Sequence, residues 1–240
     1  MRSVAAILAK DFREYYSKAP TISWGILFPV TLVALFGYYS GGIGSHRITP
    51  SLLAVALMFS ATTMPHVALS FDRMNRGLLL LLSSPVSLWE ILAAKMLGGV
   101  LLGVLGVGIA VAVLTAIAGG VPFVHPLWAL AGLLLGAVVF SAMGLLVSLL
   151  LDPVQAVAAL NFLRFTMIFL GGMLPRAALP GALAGLAYLF PIAYIGDLFR
   201  YGLYNIHDYT TPLTALAASI VYAGSLIVAA GMVAERELIP

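Results

Sequence analysis

Three lysines, four histidines and a few isolated polar residues are nearly all that this 240-residue chain offers for chemistry. A nucleotide-cradling Walker A loop needs a glycine directly before its lysine. Lys10, Lys18 and Lys95 instead follow Ala9, Ser17 and Ala94, so the chain cannot hydrolyse ATP by that route. No H-E-x-x-H motif occurs, and His46, His66, His125 and His207 are far apart in sequence. An intramembrane serine protease would need a serine and a histidine facing each other, and Ser141 has no obvious histidine to meet in the last apolar segment. With no cysteine, disulfides, thiol catalysis and cysteine metal sites are excluded. Nothing here points to catalysis.

Arg164 is the most anomalous single residue, because it stands inside a long apolar stretch. If that span starts near Gln155, the guanidinium is about 13 Å in, close to the midplane. A central Arg costs roughly 2.5–3.5 kcal/mol on insertion scales, so it should face a cavity or a partner. Asn161 and Gln155 precede it as a polar stripe. In one reading Gln155, Asn161, Arg164 and, on another span, His66 line a substrate route that favours an anionic or polar head. In the other, helix carbonyls hold the Arg or it snorkels downward, and a neighbour satisfies His66.

These residues must be positioned by helices in lipid. Hydrophobic residues make up 62% of the chain and charged residues 9%, against about 25% charged in a soluble domain. At this length a soluble fold cannot bury so much apolar surface. The net charge of +3 is too small and too scattered to suggest nucleic acid as a partner. About 20 apolar residues span the hydrocarbon core, and six such stretches occur: Ile22–Tyr39, Pro50–Ser70, Met96–Ala118, Leu127–Leu150, Ala156–Leu174 and Pro212–Ala234. We expect Pro29 and Pro65 to kink their spans, and the Gly99/Gly103 and Gly132/Gly136 pairs to allow close helix approach.

Residues 2–18 carry six charges and cannot form a signal peptide's apolar core. Val4, Leu8, Phe12 and Tyr15/Tyr16 recur at helical spacing opposite Lys10, Arg13 and Glu14, which predicts a helix lying in the membrane interface. Pro180 to Pro191 encloses an apolar segment on the order of 16 Å long as a helix, too short to cross and too apolar for a free loop. A re-entrant hairpin within about 175–211 satisfies both limits. The crowd of Tyr188, Tyr194, Tyr201, Tyr204 and Tyr209 reads as an aromatic girdle. Asp197 and Arg200 are spaced to pair on one helix face. With the N-terminus inside, eight Lys and Arg fall on the cytoplasmic side and three on the far side, which favours both termini inside.

The segment 71–95 is a polar-edged elbow between two spans, read as cytoplasmic. Its order is Asp72-Arg73-Met-Asn-Arg76-Gly77, a leucine run, Ser84-Pro85-Val86-Ser87, then Glu90 and Lys95. Together with Gly171-Gly172-Met-Leu-Pro175, Leu179-Pro180, Pro191-Ile-Ala-Tyr194 and Asp197-Leu-Phe-Arg200, it resembles permease subunits of type-2 ATP-binding-cassette exporters. Where that family commonly has Thr and Glu, this chain has Leu78 and Leu80, which puts an ionic contact in doubt. Leucines here can instead fill a partner's apolar groove or bury against the bundle, and Ser84-Pro85 supplies the helix stop an elbow needs.

The resemblance implies an all-α permease domain over residues 1–240 in the cell membrane, working as a homodimer or a pair with a similar permease. It implies two copies of a separate ATPase that hold ATP and Mg; this chain would need no cofactor or metal. The implied coupling residues are Asp72, Arg73, Arg76, Gly77, Leu78, Leu80, Ser84, Pro85, Glu90 and Lys95. Gly171, Gly172, Pro175, Pro180 and Pro191 would shape an outer gate. The nearly charge-free interior suits a hydrophobic or amphipathic cargo, drug-like or lipid. A polysaccharide or lipid-linked glycan, a heme-related cargo, or a self-sufficient secondary transporter or channel are the alternatives.

Overall fold

The computed structural model describes residues 2–39, 48–75 and 77–238, and no strand occurs among them. In chain order the helices are α1 (Arg2–Tyr15), α2 (Ala19–Tyr39), α3 (Thr49–Met74), α4 (Gly77–Leu82), α5 (Leu88–Ala118), α6 (Pro126–Leu150), α7 (Pro153–Gly172), α8 (Gly181–Ala187), α9 (Pro191–Tyr204) and α10 (Pro212–Leu238). Six of them, α2, α3, α5, α6, α7 and α10, are long and apolar enough to cross a membrane. Helices α8 and α9 form a pair bent by 83° at the place where a re-entrant segment is expected. The all-α class and the six spans are as the sequence predicts.

Helix α3 is the axis of the bundle. Its apolar window is wholly buried, wrapped by α2, α5, α6, α7 and α9. Small residues make that wrapping possible. A Cβ at Gly144 of α6 would lie 2.4 Å from the Thr62 carbonyl oxygen, and one at Gly103 of α5 would lie 2.9 Å from the Ala61 Cβ. Both predicted glycine pairs therefore pack inside the chain: Gly99/Gly103 on α3, and Gly132/Gly136 on α9 and Leu57.

Proline explains a local irregularity in α2. Pro29 has no N–H to give the Gly25 carbonyl four residues back, and the helix opens into a π-turn at Ser23–Leu27 just ahead of it. The freed carbonyl is taken by the Ser60 hydroxyl of α3 at 2.6 Å. A missing backbone bond thereby becomes a tie between two spans.

A close seam joins α6 to α9, where a Cβ at Gly202 would sit 2.4 Å from the Ala129 backbone nitrogen. Overpacking of this kind typically costs about 1–3 kcal/mol. Gly202→Ala is expected to lower the thermal midpoint of the detergent-purified protein by several degrees. An unchanged midpoint would contradict the seam.

Helix α1 turns Ile7, Asp11 and Tyr15 to the bundle, while Phe12 is 56% exposed and its ring centre lies 4.1 Å from that of Tyr16. Asp11 must face inward because its counter-charge is there, whereas Phe12 is as well satisfied by lipid as by protein. Of residues 71–95, those up to Met74 extend α3 and those from Leu88 open α5, with Asp72 and Lys95 paired inside the bundle.

Candidate functional site

The elbow begins where α3 ends and the chain doubles back over its own last turn. Gly77 sits so close that a Cβ there would be 2.9 Å from Asp72 Oδ1. Helix α4 follows for six residues and stops at the predicted place: the Ser84 hydroxyl donates to the Leu81 carbonyl at 2.6 Å, and Pro85 follows. Ser87 and Glu90 then cap α5 reciprocally. The Ser87 hydroxyl accepts from the Glu90 N–H at 3.2 Å, and the Glu90 carboxylate accepts from the Ser87 N–H at 3.1 Å. Such a box satisfies two of the orphan donors of a helix start. Glu90 also accepts from Ser3, which ties α1 to this corner.

The predicted coupling residues divide into two groups. Pro85 is exposed, Ser84 is half-buried and Leu80 is 72% exposed. Leu79, which the sequence did not single out, is 64% exposed beside it. Leu78 turns inward against Leu69, Leu92, Leu145 and Leu149 and is no part of that surface. Arg76 lies outside the described residues. Asp72, Arg73 and Lys95 lie beneath the elbow and hold it. Arg73 donates to the carbonyls of Ser148 (2.7 Å), Leu149 (3.0 Å) and Leu151 (3.0 Å), satisfying the orphan acceptors at the end of α6.

Lys95 and Asp72 belong to a buried charge cluster. The Lys95 ammonium donates to Asp11 at 2.7 Å and to Asp72, and Lys10 donates to Asp72 at 2.5 Å. The Tyr15 hydroxyl adds a bond to Asp72 at 2.6 Å. Two cations and two carboxylates balance, so three helices are joined with no net buried charge. Burial pushes the Asp11 carboxyl above its ordinary range, against the pull of Lys95. Burial also draws the Lys10 ammonium down, but the bond to Asp72 and the nearby carboxylates outweigh it and raise its pKa. Burial, and then donation to Asp72, push the Tyr15 phenol well up.

Arg164 is 3% exposed, and it neither snorkels nor rests on helix carbonyls. Its Nε and Nη2 donate to the Thr62 hydroxyl at 2.8 and 2.6 Å, and Nη2 also reaches the Thr63 hydroxyl at 2.9 Å. Nη1 donates to the Asn161 side-chain oxygen at 3.2 Å, and the Phe59 ring lies 5.1 Å from the guanidinium carbon. A cavity of about 270 Å³ between α2, α3 and α7 borders it, lined by Trp24, Thr63, His66, Asn161 and Arg164 among others. The structure thus brings His66, Asn161 and Arg164 to one place. Gln155 is not with them: it lines a separate cleft beside Arg73, Asp152 and Glu237. Six residues of helix turn it through about 600° relative to Asn161, onto another face. His66 is also satisfied as a buried histidine, its Nδ1 lying 2.8 Å from the Ser148 hydroxyl.

At the opposite end of the bundle, Gly171 adopts φ 153° in the turn that closes α7, a conformation open mainly to glycine. Gly171 and Gly172 press on Ile192 and Ala193, just after Pro191 opens α9. Pro175 and Pro180 precede the short helical turns that follow. Asp197 meets Arg200 at 3.0 Å as predicted, and its carboxylate also accepts the backbone N–H groups of Asp208, Tyr209 and Thr210. Two of the expected girdle tyrosines make specific hydrogen bonds. Tyr188 donates to the Tyr209 carbonyl and Tyr209 to the Leu174 carbonyl, knitting the turn between α7 and α8 to the approach to α10.

Leu79, Lys10, Asp11 and Tyr15 were missed as site residues. A charged residue at Asp11, on the helix face between Ile7 and Tyr15, was the one available signal.

The chain matches the ABC-2 type transporter family over residues 2–204. It is similar to the inner membrane transport permease YadH of Escherichia coli K12, with 33% identity over 167 residues, or 67% of this chain and 63% of that protein. The YadH proteins of Escherichia coli O157:H7 and Shigella flexneri match with the same identity and coverage. The match thus spans under two thirds of these relatives' length.

Proposed function

We propose, starting from a chain that belongs to the ABC-2 type transporter family, that this protein is the membrane-spanning subunit of an ATP-driven exporter in the inner membrane. The observation that carries the reading is the exposed Leu79–Leu80 pair on a short helix whose inner face and flanks are fastened to the bundle. Apolar side chains held outward on a stiff mount can seat in an apolar groove of a partner. The elbow and both termini face the cytoplasm, and two copies of the permease each receive one copy of a separate ATPase. ATP and Mg reside on that ATPase.

The mechanism is a shift between two packings of the spans. Closure of the ATPase pair on nucleotide draws the two elbows together. Asp72, Lys95, Arg73 and Glu90 pass that displacement into α3, α5, α6 and α1, because each is bonded across an element boundary. The cargo is hydrophobic or amphipathic, since the interior offers few charges and the polar-lined cavity beside Arg164 is small. The test is uptake into inverted vesicles holding this chain and its ATPase, screened over lipids, drug-like amphiphiles and glycans. Accumulation of an amphiphile that requires hydrolysable ATP is expected. Uptake driven by an ion gradient without ATP would overturn the reading.

A further inference from the structure

We propose that the cavity between α2, α3 and α7 binds the headgroup of a singly anionic amphiphile, a carboxylate or phosphate on an acyl chain, with Arg164 as its counter-ion. The inference deepens the permease reading and rests on it for the meaning of the occupant as cargo or resident lipid.

Charge accounting comes first. Every hydrogen bond to the Arg164 guanidinium comes from a neutral acceptor: two threonine hydroxyls and one amide oxygen. Those hydroxyls spend their own protons on α3, Thr62 on the Met58 carbonyl at 2.7 Å and Thr63 on the Phe59 carbonyl at 2.6 Å. They therefore orient the cation without neutralising it. The other buried cations, Lys95 and Arg200, each sit against a carboxylate. Among the described residues, Arg164 is the buried cation that has none.

Donor accounting points the same way. A guanidinium has five N–H groups, and four of them are used here, which leaves one on Nη1. Among the described residues no hydrogen bond uses the Asn161 amide nitrogen, whose oxygen is held by that same Nη1. Nη1 and the Asn161 amide thus supply spare donors at a wall of the cavity. His66, on the same wall, gives its Nδ1–H to Ser148, because the Ser148 proton goes to the Gly144 carbonyl at 2.8 Å.

The shape selects an amphiphile. At about 270 Å³ the cavity is smaller than pockets that enclose a drug-sized ligand, so it admits a headgroup and leaves the chain outside. Its mouth is formed by exposed Ala19, Pro20, Ser23 and Val157, between the first turns of α2 and α7. Those turns stand at one end of the spans, and exposed Lys18 immediately precedes Ala19.

Trp24 lines the cavity and reports on it. The full chain carrying Trp89→Phe and Trp128→Phe, which leaves Trp24 as the sole tryptophan, is placed in phosphatidylcholine nanodiscs. Brominated phosphatidylcholine, brominated phosphatidic acid and dibromostearate are then added separately. Half-quenching of Trp24 by an anionic probe is expected at roughly a tenth of the mole fraction that the zwitterionic lipid needs, because charge-assisted bonds hold it. Arg164→Leu should erase that preference, and Arg164→Lys should keep part of it, since charge survives without the fork. Preference for phosphatidic acid alone makes the occupant a phospholipid; preference for dibromostearate too admits free acids, and either supports the site. Equal quenching by all three probes, or a preference that persists in folded Arg164→Leu, overturns it. The permease is measured alone, so loss of the ATPase partner and loss of anion selectivity are separate failures.

Discussion

Lys95→Met is expected to destabilise the purified protein by about 3–5 kcal/mol, because it strips a buried pair of carboxylates of their shared partner. Asp11 and Asp72 would then face each other with only the half-exposed Lys10 between them. Asp11 is buried too, so removing its charge as well should recover much of the loss. The double change Lys95→Met with Asp11→Asn leaves Lys10 and Asp72 as a balanced pair. Thermal unfolding of the single and double variants in detergent decides the matter. Additive effects, with no recovery in the double, would mean the cluster contributes no coupling.

Leu79→Glu combined with Leu80→Glu is expected to abolish ATP-dependent uptake while leaving the bundle folded. Both side chains point away from the protein, so surface substitutions here should change stability by no more than about 0.5 kcal/mol. Truncating buried anchors in an interface costs about 2 kcal/mol or more each, and introducing charge into an apolar groove costs further. The ATPase should therefore fail to co-purify. Leu78→Glu is the informative control: it faces Leu69, Leu145 and Leu149 and should lower the unfolding midpoint instead. Retention of the ATPase by the Leu79/Leu80 variant would remove the elbow from the interface.

Features carried by neighbours along the chain were legible in the sequence. The spans, the Ser84-Pro85 stop and the Asp197–Arg200 pair are all set by local periodicity or adjacency. Partnerships across the fold were not. Lys95 and Asp11 are 84 positions apart, and Arg164 and Thr62 are 102 apart, so no local pattern announces either. The outward face of α4 was hidden for a different reason. Five consecutive leucines have no polar member to mark which side meets water, and only the packing of Leu78 fixes the rotation of the helix.

The complete enclosure of α3 has a consequence for how the protein comes into being. A ribosome finishes α3 before α6, α7 and α9 exist, so Thr62, Thr63 and His66 emerge before the partners they meet on α6 and α7. Thr62 and Thr63 wait about a hundred codons for the guanidinium they will hold. The centre of the bundle is therefore assembled last, when the later spans close around a helix that was made second among them.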